Sequence, residues 1–287
     1  MQRTPILELL FEIMRLHRPV GIWLLMFPCW WGVAYTSSQF PNPWFLMLFA
    51  VGSTVMRGAG CIYNDIVDHD LDKKVARTQN RPLARGDLTI PQAIIFMIVL
   101  GMIGALILFQ FPDKAIAVGL CSLVLVILYP FMKRITYWPQ VFLGLTFNWG
   151  IWVAWAASGQ SLSLGLLFLY LGGILWTLGY DTIYACQDRE DDLLMGMKSS
   201  AIKFGGSTKP ALVLIYSGAL FCWSVAGHLA GFHKWFYGGI LAMAFHFAWQ
   251  VLSLDIHHPK NCGKRFVSNI YIGAILFITI VIGKILN

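Results

Sequence analysis

Apolar runs separated by short polar breaks set the rhythm of this chain. Runs near or above 18 residues recur at roughly 19–37, 44–63, 92–111, 115–132, 138–157, 162–180, 210–231, 235–253 and 267–286. Each is long enough to cross a hydrocarbon core as a helix. The pattern therefore predicts an all-α integral membrane protein with about nine transmembrane helices, formed from residues 1–287 as one domain. Segments 39–43, 111–114 and 158–161 are tight turns. Two connections are much longer, 64–91 and 181–209, and long polar loops in a compact membrane protein tend to carry function.

Composition agrees with that pattern. Hydrophobic residues make up 57% of the chain and charged residues 12%, with a mean hydropathy of +0.66. Soluble domains carry about 25% charged residues. Of the 21 Lys and Arg, Arg3, Arg15, Arg18 and most others through Arg265 fall on one side of the alternating spans. Lys114, Lys234 and Lys284 fall on the other, and Arg57 lies inside a span. That asymmetry predicts a cytosolic N-terminus. The net charge of +7 is then a topology signal, with no reason to invoke nucleic acid. The first 18 residues lack an apolar signal core and cleavage site, which favours a bacterial inner membrane with the polar loops facing the cytosol. The six cysteines show no metal-finger spacing and read as small buried hydrophobes.

The two long loops share a design. The first opens on Asn64-Asp65-Ile66-Val67-Asp68-His69-Asp70-Leu71-Asp72, and the second on Asp181 followed by Asp188-Arg189-Glu190-Asp191-Asp192. Nine of the chain's 14 acidic residues sit there. On a helix, Asn64, Asp68 and Asp72 form one stripe, Asp188 and Asp192 a second, and Asp181 and Tyr184 extend it into the membrane. Carboxylates held this close repel one another unless cations neutralise them. Hard oxygen ligands at this spacing, with Lys and Arg close by, suit Mg²⁺ carrying a diphosphate.

Each acidic run is followed by basic residues. Arg77 and Lys198 are the candidates for phosphate oxygens left free by metal, while Lys74, Arg85 and Lys203 fit ordinary positive-inside charge. Arg57 stands one to two turns before Asn64 within an apolar span, and a charge there is costly enough to suggest a site. His257 and His258 read as a solvated loop.

These residues resemble a known family. The run from Asn64 to Asp72, the segment Arg77-Thr78 to Asn80-Arg81-Pro82-Leu83, and Tyr180-Asp181 through Asp192 to Lys198-Ser199 are similar to the UbiA superfamily of intramembrane prenyltransferases. Arg15-Leu16-x-Arg18-Pro19-Val20-Gly21, Met56 to Cys61, and Tyr129-Pro130-Phe131-Met132-Lys133-Arg134 point to its 4-hydroxybenzoate polyprenyltransferase subgroup. Glu190 replaces the commoner Asp of the second run at a non-ligand position.

The resemblance implies a helical bundle around a central cavity that opens toward lipid, with both acidic motifs at its cytosolic mouth. It implies Mg²⁺-dependent transfer of a polyprenyl group from polyprenyl diphosphate to the 3-position of 4-hydroxybenzoate, a step of ubiquinone biosynthesis. Asp68, Asp72, Asp188 and Asp192, helped by Asn64, would hold the metal. Arg134, with Arg57 or Arg18, would pair the acceptor's carboxylate. Another acceptor (homogentisate, dihydroxynaphthoate or haem) is the alternative, and a transporter is a more distant one. Apart from substrates and the bilayer, nothing in the sequence calls for a protein partner.

Overall fold

Helix starts in this chain are written into its polar breaks. Asn42, Ser163 and Ser199 each accept a hydrogen bond from a backbone N–H of the helix that follows. Thr89 and Gln92 form a reciprocal capping box ahead of Ile90. Such side chains satisfy donors that a helix end otherwise leaves bare, a strict requirement near lipid.

The computed structural model describes residues 5–286, and Arg3 lies outside the described residues. Among these, every regular element is helical. The first half holds α1 (Ile6–Ile13), α2 (Val20–Thr36), α3 (Pro43–Val67), α4 (His69–Asp72), α5 (Ile90–Leu108), α6 (Asp113–Ile135), α7 (Pro139–Phe147) and α8 (Gly150–Ser158). The second half holds α9 (Leu164–Ala185), α10 (Arg189–Leu194), α11 (Ser200–Phe204), α12 (Thr208–Leu229), α13 (Trp235–Ser253), α14 (Pro259–Val267) and α15 (Asn269–Ile285). All nine expected spans appear as helix. By length and composition, seven helical segments are suited to crossing a membrane. The expected spans at α2 and α13 fall outside that set, and α2 has only 17 residues. The chain is an integral membrane protein.

The core is aromatic. Trp31, Trp176 and Trp223 are fully buried and pack against one another where α2, α9 and α12 meet. Two of the three indoles find partners on neighbouring helices: Trp31 Nε1 donates to the Gly273 carbonyl and Trp176 Nε1 to Asn269 Oδ1, both at 2.9 Å. Small residues allow close approach. A Cβ on Gly32 would stand 2.9 Å from Ile151 Cα, so α2 and α8 touch backbone to backbone there. Helix α9 lies at the centre, with 67% of its most apolar stretch covered by protein, whereas α5 shows 6%. Lipid is therefore the main neighbour of α5, and α9 is the axis on which the polar end is built.

Three details depart from the sequence-based expectation. The expected span 138–157 breaks at Asn148 and Trp149 into α7 and α8. The spans expected to end at 63 and 180 run on to Val67 and Ala185, carrying Asn64, Asp65, Asp181 and Tyr184 on regular helix. Neither acidic stripe lies on one unbroken helix: α3 stops before Asp68 and α9 stops before Asp188.

Candidate active site

Those two breaks share a geometry. Asp68 has φ −101° and ψ 9°, and Asp188 has φ −110° and ψ 5°. Each is followed by one short helix, and the N–H of the residue four on returns to its carbonyl: Asp72 to Asp68 and Asp192 to Asp188, both at 2.8 Å. The i,i+4 stripe thus survives although the long helix does not. The sequence predicted the stripe correctly and its support incorrectly.

Both stripes line one cavity of about 240 Å³. Asn64, Asp68, Asp72, Asp181, Asp188, Asp191 and Asp192 face it, together with Arg15, Arg77, Arg81, Lys133 and Lys198. Tyr129, Gln140, Tyr184 and Ser199 complete the polar wall. Segments far apart in sequence close the ring. The Lys198 N–H donates to the Lys133 carbonyl at 2.8 Å and its Nζ to the Ile135 carbonyl at 3.0 Å. Gln140 Oε1 accepts from the Ser200 N–H at 3.0 Å.

The cations hold the carboxylates apart. Arg15 Nη2 meets Asp65 Oδ1 at 2.5 Å, and Arg81 Nη1 bridges Asp65 at 3.1 Å and Asp72 at 2.6 Å. Lys133 pairs with Asp68, and Arg134 reaches the same carboxylate at 3.1 Å. Arg77 contacts Asp188 at 2.5 Å and Tyr184 Oη at 3.1 Å. Burial pushes the Asp72 carboxyl up from the ordinary aspartate range; Asp65 and Asp68 add to this, and Arg81 opposes it without prevailing. Burial also raises Asp188. Asp192, buried and next to Asp188, is pushed up to about 6.

The candidate residues fall into two groups. The structure brings Asn64, Asp68, Asp72, Asp188, Asp192, Arg77 and Lys198 to one cavity. It does not bring Arg134 or Arg18 there. Arg134 sits outside the wall, donating to the Val67 carbonyl at 3.0 Å as well as to Asp68, and lines a neighbouring surface recess. Arg18 is exposed in the bend before α2. Arg57 lies just behind the wall: Nη1 donates to Cys61 Sγ at 2.9 Å, and its charge acts on Tyr129 and Asp181, both lining residues. His258 caps α14 by accepting from the Asn261 N–H.

Sequence reasoning passed over Arg15, Arg81 and Lys133 as site residues. Arg15 opened the run Arg15 to Gly21 that points to the subgroup, but nothing local assigned it to the cavity, since its carboxylate partner is 50 residues away. Arg81 and Lys133 stood inside the recognised motifs and were read as part of the basic background.

The wall chemistry suits a hard divalent cation: it offers carboxylate and amide oxygens, with no Cys or His on it. Among the described residues, no three His, Cys, Asp or Glu side chains come together closely enough to hold an ion by themselves. An ion here would have to take part of its shell from another oxygen-rich molecule, as Mg²⁺ does when it rides on phosphates.

Comparison with known proteins gives a consistent result. Residues 25–279 match the model of the UbiA prenyltransferase family. Similar proteins include the mitochondrial 4-hydroxybenzoate polyprenyltransferase of Aedes aegypti, 45% identical over 278 residues, covering 96% of this chain and 63% of that protein. The human protein of the same name is 45% identical over 280 residues, covering 96% of this chain and 75% of that one. The chain thus spans under two thirds of the mosquito relative. Among solved structures, a UbiA homolog from Aeropyrum pernix K1 superposes with a TM-score of 0.76 at 23% identity, covering 91% of this chain and 97% of that one. A UbiA homolog from Archaeoglobus fulgidus bound to GPP and Mg²⁺ superposes at 0.71 with 15% identity, covering 97% of this chain and 100% of that one.

Proposed function

The chain belongs to the UbiA prenyltransferase family, and on that footing we propose that it transfers a polyprenyl group from polyprenyl diphosphate to ring carbon 3 of 4-hydroxybenzoate, with Mg²⁺ as its metal. The observation that carries this reading is the single cavity in which both acidic stripes face five cationic side chains. Relatives named for that reaction, at 45% identity over nearly all of this chain, supply the acceptor.

Asp68, Asp72, Asp188 and Asp192 would hold the metal in this reading, with Asn64 beside them. When bound, Mg²⁺ offsets the charge that grows on the departing diphosphate. Arg77 and Lys198 take diphosphate oxygens. Arg15, Arg81 and Lys133 line the same space and join them, since a guanidinium or ammonium that now pairs a carboxylate can also face a phosphate oxygen. Fixed cations aimed at a leaving group favour charge-separated bond breaking without reorganisation at the moment of reaction. The electron pair of the allylic C–O bond leaves with the diphosphate, and the rings of Tyr129 and Tyr184 stand on the wall as electron-rich faces for the carbocation. The phenol ring then attacks through the carbon ortho to its hydroxyl and loses that carbon's proton.

For the acceptor's carboxylate we favour Arg57 over Arg134 and Arg18. None of the three lines the cavity, but Arg57 stands behind its wall near the lining residues Tyr129 and Asp181, whereas Arg134 turns to a neighbouring recess and Arg18 is exposed before α2. We place the acidic end on the cytosolic side of a bacterial-type inner membrane because the basic residues crowd there. The relatives above are mitochondrial, so fractionation of the native cell separates the two locations.

Membranes containing the chain, supplied with a long polyprenyl diphosphate and labelled 4-hydroxybenzoate, test the acceptor. Label should enter the organic phase and resist competition by homogentisate or dihydroxynaphthoate. Efficient competition by either would transfer the assignment to that acceptor.

A further inference from the structure

Arg15 has φ +57° and is the one non-glycine residue in the left-handed region among the described residues. It ends α1. The Arg15 N–H returns to the Glu12 carbonyl at 2.9 Å and the Leu16 N–H to the Phe11 carbonyl at 3.1 Å. That paired pattern is a Schellman ending, whose left-handed position belongs by preference to glycine. An arginine there costs about 1 kcal/mol relative to glycine. Its side chain explains why it stands there: the guanidinium lines the diphosphate cavity and meets Asp65, which is 2% exposed, at 2.5 Å. Asp65 passes the contact to Arg81, and Arg81 to Asp72.

The helix that aims Arg15 is tied down elsewhere. Leu9 and Ile13 bury themselves against Ile62, Leu83 and Leu88. Beside that contact, Arg85 grips Glu12 with both terminal nitrogens, Nη1 to Oε1 at 3.0 Å and Nη2 to Oε2 at 2.7 Å. Arg85 is itself held by the Asn80 carbonyl at 2.9 Å and by Asp87. Neither Glu12 nor Arg85 lines the cavity. Glu12 lies in the last full turn before the left-handed residue and supplies the carbonyl that closes it.

We propose that Glu12 and Arg85 are positioning residues: their two-pronged ion pair locks α1 and its left-handed end, and so holds the Arg15 guanidinium in the diphosphate cavity. The inference rests on the function proposed above, because the anion that Arg15 meets is taken to be a diphosphate. Fixing Arg15 in advance matters because a free arginine would spend rotamer entropy on reaching its ligand.

The test is binding of inorganic pyrophosphate with Mg²⁺ to the full chain in lipid nanodiscs, followed by calorimetry, with the melting temperature measured in parallel. Glu12→Arg and Arg85→Glu should each weaken binding about threefold to tenfold. Combining them restores an ion pair of reversed polarity, while the contacts of Arg85 to Asp87 and the Asn80 carbonyl stay lost, so binding should recover in part, above that of either single reversal. Arg15→Gly removes the guanidinium itself along with one of the two cations on buried Asp65, so it should bind pyrophosphate at least as poorly as the single reversals. Single reversals that bind like the parent, or a double reversal that stays weak at the parent's melting temperature, would overturn the proposal. A parent chain that binds no pyrophosphate would count against the proposed function instead.

Discussion

The two acidic segments share spacing, helix break and backbone angles, but they are compensated very differently. In the first, Asp65, Asp68 and Asp72 are each paired, through Arg15, Arg81, Lys133 and Arg134. In the second, among the described residues, Asp188 is the one carboxylate of that segment on the cavity with an ion pair, to Arg77, and Asp192 is lifted to about 6. The first segment is thus a braced half and the second an open one. A hard cation gains most beside the open half, where burial and like charge already oppose ionisation. In the braced half a ligand competes with ion pairs already made.

The largest effect should come from deleting a carboxylate in either half. Asp72→Ala and Asp188→Ala should each lower turnover by about a thousandfold or more, measured on chains whose melting shows them folded. Near-parental turnover in either variant would remove that residue from the metal site.

The next effect should split the halves by sign. Asp68→Asn strands Lys133 and Arg134, and should lower the stability of the metal-free chain by about 2 kcal/mol. Asp192→Asn relieves a crowded carboxyl and should raise it by about 1 kcal/mol. Thermal melts in EDTA measure both. A loss of stability in Asp192→Asn would erase the distinction between a braced and an open half.

The smallest effect is on pH. Because Asp192 sits at about 6 without metal, it holds a proton below that pH and is free above it. A cation must displace the proton, so Mg²⁺ affinity should fall as pH drops through about 6, with proton release on binding. Calorimetry in buffers of different ionisation enthalpy shows that release directly. Asp192→Asn should flatten the dependence.

Much of this was legible in the sequence because a bilayer permits few solutions. A run such as 92–111 has to be a helix when no water is present to satisfy its backbone. The acidic stripes were legible because a four-residue spacing survives even where the helix breaks, as at Asp68 and Asp188. The partnerships were not. Arg77 lies 111 residues from Asp188, and Lys133 lies 65 from Asp68, so only the packing of α3, α6 and α9 could reveal them. Arg134 looked like a site residue because it ends the run from Tyr129 that carries the subgroup resemblance. One helical step turned it to the outer side of Asp68, where it braces a carboxylate from behind. The break at Asn148 and the left-handed Arg15 had no local signature, since neither position carries the glycine or proline that usually announces one.

The most direct test of the account measures turnover and pyrophosphate release by purified chain in nanodiscs, with polyprenyl diphosphate and 4-hydroxybenzoate, in Mg²⁺ and in EDTA. The account predicts one prenylated 4-hydroxybenzoate per pyrophosphate released in Mg²⁺, and neither product in EDTA. Equal transfer in both conditions, or pyrophosphate release without prenylated product, would contradict it.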